Sequence, residues 1–211
     1  MKNILLHGLG QTSSSWNNTV ASMENKLDIL CPNLFDLLQD KEVSYANLYQ
    51  VFSEYCTGLS EPFNICGLSL GGILALEYVI KNPTKVNSLV LIGTQYTMPK
   101  GLLKFQNIVF HLMPNRMFME IGLGKKDCIN LIKSMLDLDF QHELQKITCP
   151  VFIVCGEKDI ANKKASLQLS KQIPNTEITF IKNAGHEVNM EAPKELGQIL
   201  NTFLDRTNSR F

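Results

Sequence analysis

The sequence lacks the features by which membrane, secreted and nucleic-acid-binding proteins are usually recognised. Its 211 residues contain no run close to the ~18 consecutive apolar residues that a membrane span needs. The apolar run at the start is short and is broken by His7, so no signal peptide is expected. Lys and Arg together number 20, as do Asp and Glu, and the net charge is therefore zero. No basic stripe is available for a phosphate backbone, which argues against a nucleic-acid partner.

The six cysteines also lack a pattern, because they include no C-x-x-C pair and no cluster with histidine at metal-site spacing. Without a secretory signal they are expected to be reduced thiols in a cytoplasmic protein. Neither G-x-G-x-x-G nor G-x-x-x-x-G-K-[ST] occurs, so neither a nucleotide cofactor nor a metal is indicated. The expected partner is a small-molecule substrate, and the sequence defines no oligomeric state.

Short β-rich runs alternate with helical patterns along most of the chain. This alternation is typical of a parallel sheet with crossover helices, here an α/β fold with about six strands. Continuous apolar runs at residues 89–92 and 151–155 indicate strands that are covered on both faces. The predicted strands are residues 3–6, 28–31, 63–66, 88–92, 151–155 and 177–181. The predicted helices are residues 14–26, 44–59, 70–81, 165–173 and 194–205.

Residues 96–146 break the alternation, because they contain no strand candidate. A crossover needs only about a dozen residues, so this segment is expected to be a helical insertion within a single domain, residues 1–211. Two compatible interpretations stay open: a small helical subdomain with its own core, or a lid whose flexible apolar side chains line a substrate pocket. The methionines and phenylalanines behind the second interpretation are Met98, Met113, Met117, Met119, Met135, Phe105, Phe110 and Phe118.

The strongest functional signal is the segment G-L-S-L-G at residues 67–71, which Gly72 follows. It lies directly between a predicted strand and a predicted helix, the context of a nucleophile elbow. In so sharp a turn a side chain at position 67 or 71 would collide with neighbouring backbone. The turn would project the Ser69 hydroxyl above the sheet edge, at the N-terminus of the helix. Serine is also a common helix N-cap, but the flanking glycines favour a nucleophile.

A serine nucleophile needs a base and an orienting acid, and the sequence offers both at the same predicted sheet edge. Asp159 follows the strand at 151–155, and His186 follows the strand at 177–181. Binding sites in open α/β sheets form outside the carboxyl ends of the strands, where both side chains would emerge. Surface-loop roles are the alternatives for these two residues, and Glu157 is a competing acid.

Four segments together resemble the α/β-hydrolases: H-G-L-G at residues 7–10, G-L-S-L-G-G at 67–72, G-E-K-D at 156–159 and N-A-G-H at 183–186. The sequence is similar to a small single-domain serine esterase of that superfamily over almost all of the chain outside the insertion. The order nucleophile, acid, histidine is also the family's order. Because the first strand begins at about residue 3, the sheet is expected to be a reduced form of the α/β-hydrolase fold.

The resemblance implies specific roles for five residues. Ser69 would be the nucleophile, His186 the general base and acid, and Asp159 the carboxylate that orients the histidine. The backbone N–H groups of Leu9 and Leu70 would form the oxyanion hole.

The reaction expected first is hydrolysis of a carboxylic ester of small to medium, hydrophobic character, through an acyl-enzyme. Thioesterase, lactonase, C–C hydrolase or lyase chemistry on the same triad stays open, because fold and triad do not fix the reaction. A ligand-binding regulatory protein with a vestigial triad is the alternative from another class. The intact glycines and triad positions speak against that alternative.

Overall fold

Six parallel strands form one sheet in the computed structural model, which describes residues 1–23, 28–59, 62–98, 101 and 123–208. The strand order is β2-β1-β3-β4-β5-β6, and every neighbouring pair is parallel. The strands are β1 (Lys2–Leu6), β2 (Asp28–Leu30), β3 (Phe63–Leu68), β4 (Val86–Ile92), β5 (Val151–Gly156) and β6 (Thr176–Ile181). All six predicted strands are therefore present, with ends shifted by up to two residues.

The central strands have no face that is exposed to solvent. Every residue of β3, β4 and β5 is buried, as expected for strands that are covered on both sides. Their side chains alternate between two apolar clusters, so that Ile65 of β3 belongs to one cluster and Cys66 to the other.

Helices cover both faces of this sheet. The helices are α1 (Asn17–Ala21), α2 (Tyr45–Thr57), α3 (Leu70–Lys81), α4 (Lys125–Ser134), α5 (Ile160–Gln172), α6 (Val188–Glu191) and α7 (Pro193–Asn208). The cluster on one face includes side chains of α2, α3 and α5, and the cluster on the other includes side chains of α7 and the segment around Trp16. Among the described residues, no helix has the length and apolar character needed to cross a membrane.

Two predicted helices differ from the structure for identifiable reasons. Helix α5 begins at Ile160 instead of residue 165, because Asp159 caps it and the polar residues at 162–164 interrupt the apolar periodicity. The predicted helix 14–26 is a 3-10 turn, Ser13–Trp16, followed by the short α1. Three consecutive serines there compete for backbone hydrogen bonds. The end of that prediction, residues 24–26, lies outside the described residues.

The insertion is rooted in the main core. Although no strand is predicted in it, Thr97 forms an isolated antiparallel bridge with Asp139, flanked by the backbone bond from Phe140 N–H to the Tyr96 carbonyl at 2.9 Å. The buried side chains of α4, such as Leu131, belong to the same apolar cluster as one face of the sheet. Most of the methionines and phenylalanines cited for a lid lie outside the described residues, and the lid itself stays a prediction.

The strand order places a switch point next to β1. The chain passes from β1 outward to β2 and then returns to build β3 on the other side of β1. The loop after β1, residues 7–10, and the turn after β3, which carries Ser69, therefore flank the crevice where open α/β sheets bind ligands.

Candidate active site

Ser69 sits in a strained turn between β3 and α3. Its backbone has φ 53° and ψ −113°, in the left-handed half of φ space that non-glycine residues rarely adopt. The turn needs close packing, because a Cβ on Gly71 would lie 2.5 Å from the Leu6 carbonyl oxygen and one on Gly67 would collide with the Gly71 carbonyl. The strand–turn–helix context expected for residues 67–71 is therefore present.

The surroundings of Ser69 place it between the ends of β1 and β4. Its N–H donates to the Ile92 carbonyl at 2.9 Å. On the other side, a Cβ built on Gly8 would lie 3.5 Å from the Ser69 Cβ, so the loop after β1 passes directly beside the serine. Neither Leu9 nor Leu70 uses its N–H in a hydrogen bond to the described part of the chain. Leu9 is half-buried and Leu70 is buried.

Asp159 and His186 form a hydrogen-bonded pair at the same edge of the sheet. The distance from His186 Nδ1 to Asp159 Oδ2 is 2.7 Å. The Asp159 side chain is 4% exposed and the His186 side chain 39%, so the imidazole can meet a solute while the acid cannot. Burial raises the pKa of Asp159, but the hydrogen bonds from His186 and Asn162 outweigh it and hold the pKa below its usual value. The acid is therefore a carboxylate at neutral pH.

Gly93, directly after β4, joins the serine to this pair. It follows Ile92, whose carbonyl accepts the Ser69 N–H, and its own N–H donates to the Val154 carbonyl of β5 at 3.0 Å. A Cβ on Gly93 would lie 3.0 Å from His186 Nδ1 and 3.1 Å from Asp159 Oδ2. Its φ of 52° also favours glycine, so both the available space and the backbone conformation select glycine at this position. Sequence reasoning missed this residue, since a glycine after a strand has many ordinary roles.

The His186 loop is held by a residue that sequence reasoning also missed. Glu191, at the end of α6, accepts the N–H of Gly185 at 2.7 Å and the N–H of Glu187 at 3.1 Å, one on each carboxylate oxygen. These two N–H groups flank His186 in the chain. The carboxylate therefore fixes the backbone on both sides of the imidazole. No sequence signal marks Glu191, because helix α6 has only four residues.

His7 fixes the loop after β1. Its Nε2 accepts the Leu34 N–H at 3.0 Å, so the proton of the neutral ring lies on Nδ1, which donates to the Gly8 carbonyl at 2.9 Å. Burial lowers the pKa of His7, although the Gly8 carbonyl, Asn33 and Asp36 oppose this effect. At neutral pH the ring is a structural hydrogen-bonding group.

A buried pair of amides links this loop to the His186 loop. Asn189 of α6 donates its Nδ2–H to Gln11 Oε1 at 3.1 Å, and Gln11 Nε2 donates back to Asn189 Oδ1 at 3.2 Å. Gln11 also donates to Glu187 Oε1 at 3.2 Å, so the carboxylate next to His186 faces this link. The loop after β1 and the His186 loop are therefore fixed relative to each other.

The competing candidates point elsewhere. Glu157 is exposed, and its carboxylate accepts the Asn183 N–H at 3.2 Å. Thr94, at the other usual position for an acid, is buried, and its hydroxyl donates to the Ile92 carbonyl at 3.2 Å. Cys66 is buried inside β3, and desolvation raises the pKa of its thiol far above the ordinary range. Of the other two histidines, His142 is exposed and His111 lies outside the described residues.

Comparison with known proteins identifies the family. Residues 4–199 match the Alpha/beta hydrolase family, and the chain belongs to it. Among curated relatives, the monoacylglycerol lipase ABHD6 of Bos taurus is 23% identical over 258 residues, which cover 98% of this chain and 76% of that protein. The resemblance seen in the four sequence segments is thereby confirmed.

Solved structures show the same fold. A thermophilic esterase from Thermogutta terrifontis superposes with a TM-score of 0.78 at 17% identity, covering 98% of this chain and 90% of the other. MenH from S. aureus superposes with a TM-score of 0.76 at 15% identity, covering 99% and 92%. The family and its esterase- and lipase-like members make this protein a hydrolase enzyme of the α/β class.

Proposed function

We propose that the protein hydrolyses a carboxylic ester of a small to medium hydrophobic molecule, with Ser69, His186 and Asp159 as its triad. The observation that carries the proposal is the 2.7 Å bond between His186 and the buried Asp159, at the sheet edge where Ser69 projects from its strained turn. A serine hydroxyl becomes a nucleophile at neutral pH when an oriented imidazole can take its proton.

The reaction proceeds in two halves. His186 takes the Ser69 hydroxyl proton as the oxygen attacks the acyl carbonyl, and the tetrahedral intermediate collapses to an acyl-serine. The alcohol leaves with the proton from His186. Water, deprotonated by the same imidazole, then attacks the acyl-serine, and the acid is released as the serine regains its proton. Asp159 stays ionised throughout and orients the imidazole.

The proposed oxyanion hole consists of the N–H groups of Leu9 and Leu70. Neither group donates a hydrogen bond to the described part of the chain. The close approach of Gly8 to Ser69 brings the first donor's loop beside the serine, and the second donor begins helix α3. Two such donors offset the charge on the intermediate's oxygen, and the loss of one typically costs about 100- to 1,000-fold in rate.

We also propose that residues 96–146 act as a lid over this edge. The antiparallel contact between 97 and 139 joins the start of the segment, which follows Gly93 closely in the chain, to a residue near its end. Its apolar composition suits a hydrophobic acyl or aryl group, which an apolar pocket would recruit without electrostatic steering. The cytoplasmic location expected from the cysteines stays a prediction.

Substitution of Ser69 by alanine tests the proposal. With short p-nitrophenyl esters as substrates, Ser69→Ala should lower kcat about 1,000-fold or more, with the fold intact by circular dichroism. The matched control is Ser170→Ala. The Ser170 hydroxyl donates to the Leu167 carbonyl on α5, and its removal should leave kcat unchanged. Activity of Ser69→Ala at the wild-type level would refute the assignment of the nucleophile.

A panel of matched acetyl esters, thioesters and lactones separates the related reactions. The proposal expects the highest kcat/KM on the esters. A thioester or lactone preferred by more than about 10-fold would keep the triad and replace the substrate class. If the protein binds members of the panel and hydrolyses none of them, a ligand-binding role would be favoured.

A further inference from the structure

Asn162, in the first turn of α5, contacts the acid of the proposed triad more extensively than His186 does. Its Nδ2 lies 2.9 Å from both Asp159 Oδ1 and Asp159 Oδ2, and 3.1 Å from His186 Nδ1. Its backbone N–H also donates to Asp159 Oδ1 at 3.2 Å. The residue is 8% exposed, so solvent does not compete for these bonds.

Gln95 determines which way the Asn162 amide faces. Gln95 Nε2 donates to the Ala161 carbonyl at 3.2 Å, and a carbonyl can only accept, so the nitrogen end of Gln95 faces α5. The same nitrogen donates to the oxygen of Asn162 at 2.8 Å. The nitrogen of Asn162 must therefore face Asp159, as a donor to the carboxylate. The Ala161 carbonyl fixes the orientation of the Gln95 amide, and Gln95 in turn fixes the orientation of the Asn162 amide. Neither amide therefore has an alternative orientation.

The contacts give the carboxylate one fixed orientation. Oδ1 accepts the backbone and side-chain N–H groups of Asn162, while Oδ2 accepts the imidazole Nδ1–H and the same side-chain nitrogen. The other titratable groups around it are the Cys155 thiol and Lys163, whose charge acts on that thiol. A carboxylate with all its acceptor positions occupied cannot rotate away from the histidine without breaking several bonds.

We propose that Asn162, oriented by Gln95, is a positioning residue that aims the Asp159 carboxylate at His186. Gln95 is the last residue before the insertion, and the neighbouring residues 96–98 pair with residues 138–140 at its base. The orientation of the acid is therefore tied to the base of the insertion through two side-chain amides. The inference rests on the proposed function, in which the pair of Asp159 and His186 acts on Ser69.

The test compares Asn162→Leu and Gln95→Met with Gln168→Met. Leucine keeps the branched shape of the Asn162 side chain and removes its donor, while Gln95→Met removes only the group that orients it, at a half-exposed position that does not threaten folding. Gln168 lies on the same helix and accepts the Tyr96 hydroxyl at 3.1 Å, without contact with Asp159, so its variant is the matched control.

The first readout needs no substrate. A carboxyl ¹³C NMR titration of the resting protein should show that the pKa of Asp159 rises in Asn162→Leu, rises less in Gln95→Met, and does not change in Gln168→Met. The reason is that the lost hydrogen bonds favour the ionised form. A purely structural role for Asn162 would change the unfolding midpoint and leave this titration where it is.

The second readout is the pH profile of kcat/KM on a p-nitrophenyl ester. Asn162→Leu should lose about 10-fold in kcat/KM at its optimum, because the imidazole is aimed less well. The inference is overturned if Asn162→Leu is folded and both the titration and the profile match the wild type. If the wild type hydrolyses no ester but the titration of Asp159 still responds, the positioning role holds and the proposed function fails.

Discussion

Gly93 offers the sharpest test of the geometry, because one added methyl group reaches both members of the acid–base pair. Alanine at this position would place its Cβ 3.0 Å from His186 Nδ1 and 3.1 Å from Asp159 Oδ2. Ordinary van der Waals contact begins at about 3.4 Å, so one partner must move by a few tenths of an ångström. The half-exposed imidazole can move, whereas Asp159 is buried and caps α5.

The expected cost in stability is modest, while the expected cost in activity is large. A φ of 52° costs alanine about 1–2 kcal/mol relative to glycine. The methyl group should lengthen the 2.7 Å bond between His186 and Asp159, and we expect kcat/KM to fall about 100-fold. The assay is p-nitrophenyl ester hydrolysis, read together with the urea midpoint so that activity refers to folded protein.

Gly58→Ala is the matched control. Gly58 ends α2 with φ −70°, and a Cβ there would lie 3.4 Å from the Tyr55 carbonyl oxygen. Its urea midpoint and kcat/KM should therefore stay close to those of the wild type. A folded Gly93→Ala protein with wild-type kcat/KM would refute the view that His186, oriented by Asp159, is the general base and acid.

Three further substitutions test other parts of the account. Glu191→Ala removes the acceptor for the two N–H groups that flank His186, so kcat/KM should fall about 10-fold, while this exposed position costs less than about 1 kcal/mol of stability. Burial lowers the pKa of His7 below 6.5, so the folded protein binds fewer protons at this ring than the unfolded chain does. The contribution of the neutral ring to the free energy of unfolding is therefore present above pH 6.5 and is lost as the pH falls below it. His7→Gln should therefore reduce the pH dependence of the urea midpoint between pH 5 and about 6.5. Asn64→Leu should cost about 2–4 kcal/mol, because it unpairs the buried Asn87 Nδ2 and Ser88 hydroxyl donors, with kcat/KM of the folded protein unchanged.

The controls for these substitutions lie in the same chain. Glu195→Ala removes the same kind of charge from the first turn of α7 and should leave kcat/KM unchanged. An equal loss of kcat/KM in both variants would contradict the role of Glu191. His142→Gln changes an exposed histidine and should leave the pH dependence of the urea midpoint in place. If His7→Gln leaves that dependence in place too, the buried ring is not its source.

The strands and the elbow are predictable from the sequence because their causes are local. Continuous apolar runs mark strands that are buried on both faces, and the glycines at 67 and 71 mark a turn in which a Cβ would meet neighbouring backbone. The start of α5 is not predictable in this way. Asn162, Lys163 and Lys164 follow its first two residues, so the apolar periodicity begins only at Ala165.

The residues that position the site escape sequence reasoning because their contacts join distant segments. Asn162 meets His186 across 24 residues of chain, and Gln11 meets Asn189 across 178. Such amides and glycines have many ordinary surface roles, so residue type alone does not distinguish them. The positions of the proposed triad are predictable because each follows a strand at the same sheet edge, while the groups that would aim them depend on how loops pack together.

Covalent labelling with a fluorophosphonate tests whether Ser69 is the nucleophile, since the reaction requires an activated serine and no knowledge of the substrate. We expect one stoichiometric adduct, mapped by mass spectrometry to the peptide that contains Ser69, and none in Ser69→Ala. A folded wild-type protein that stays unlabelled, or one that is labelled at another residue, would contradict the claim that Ser69 is the nucleophile.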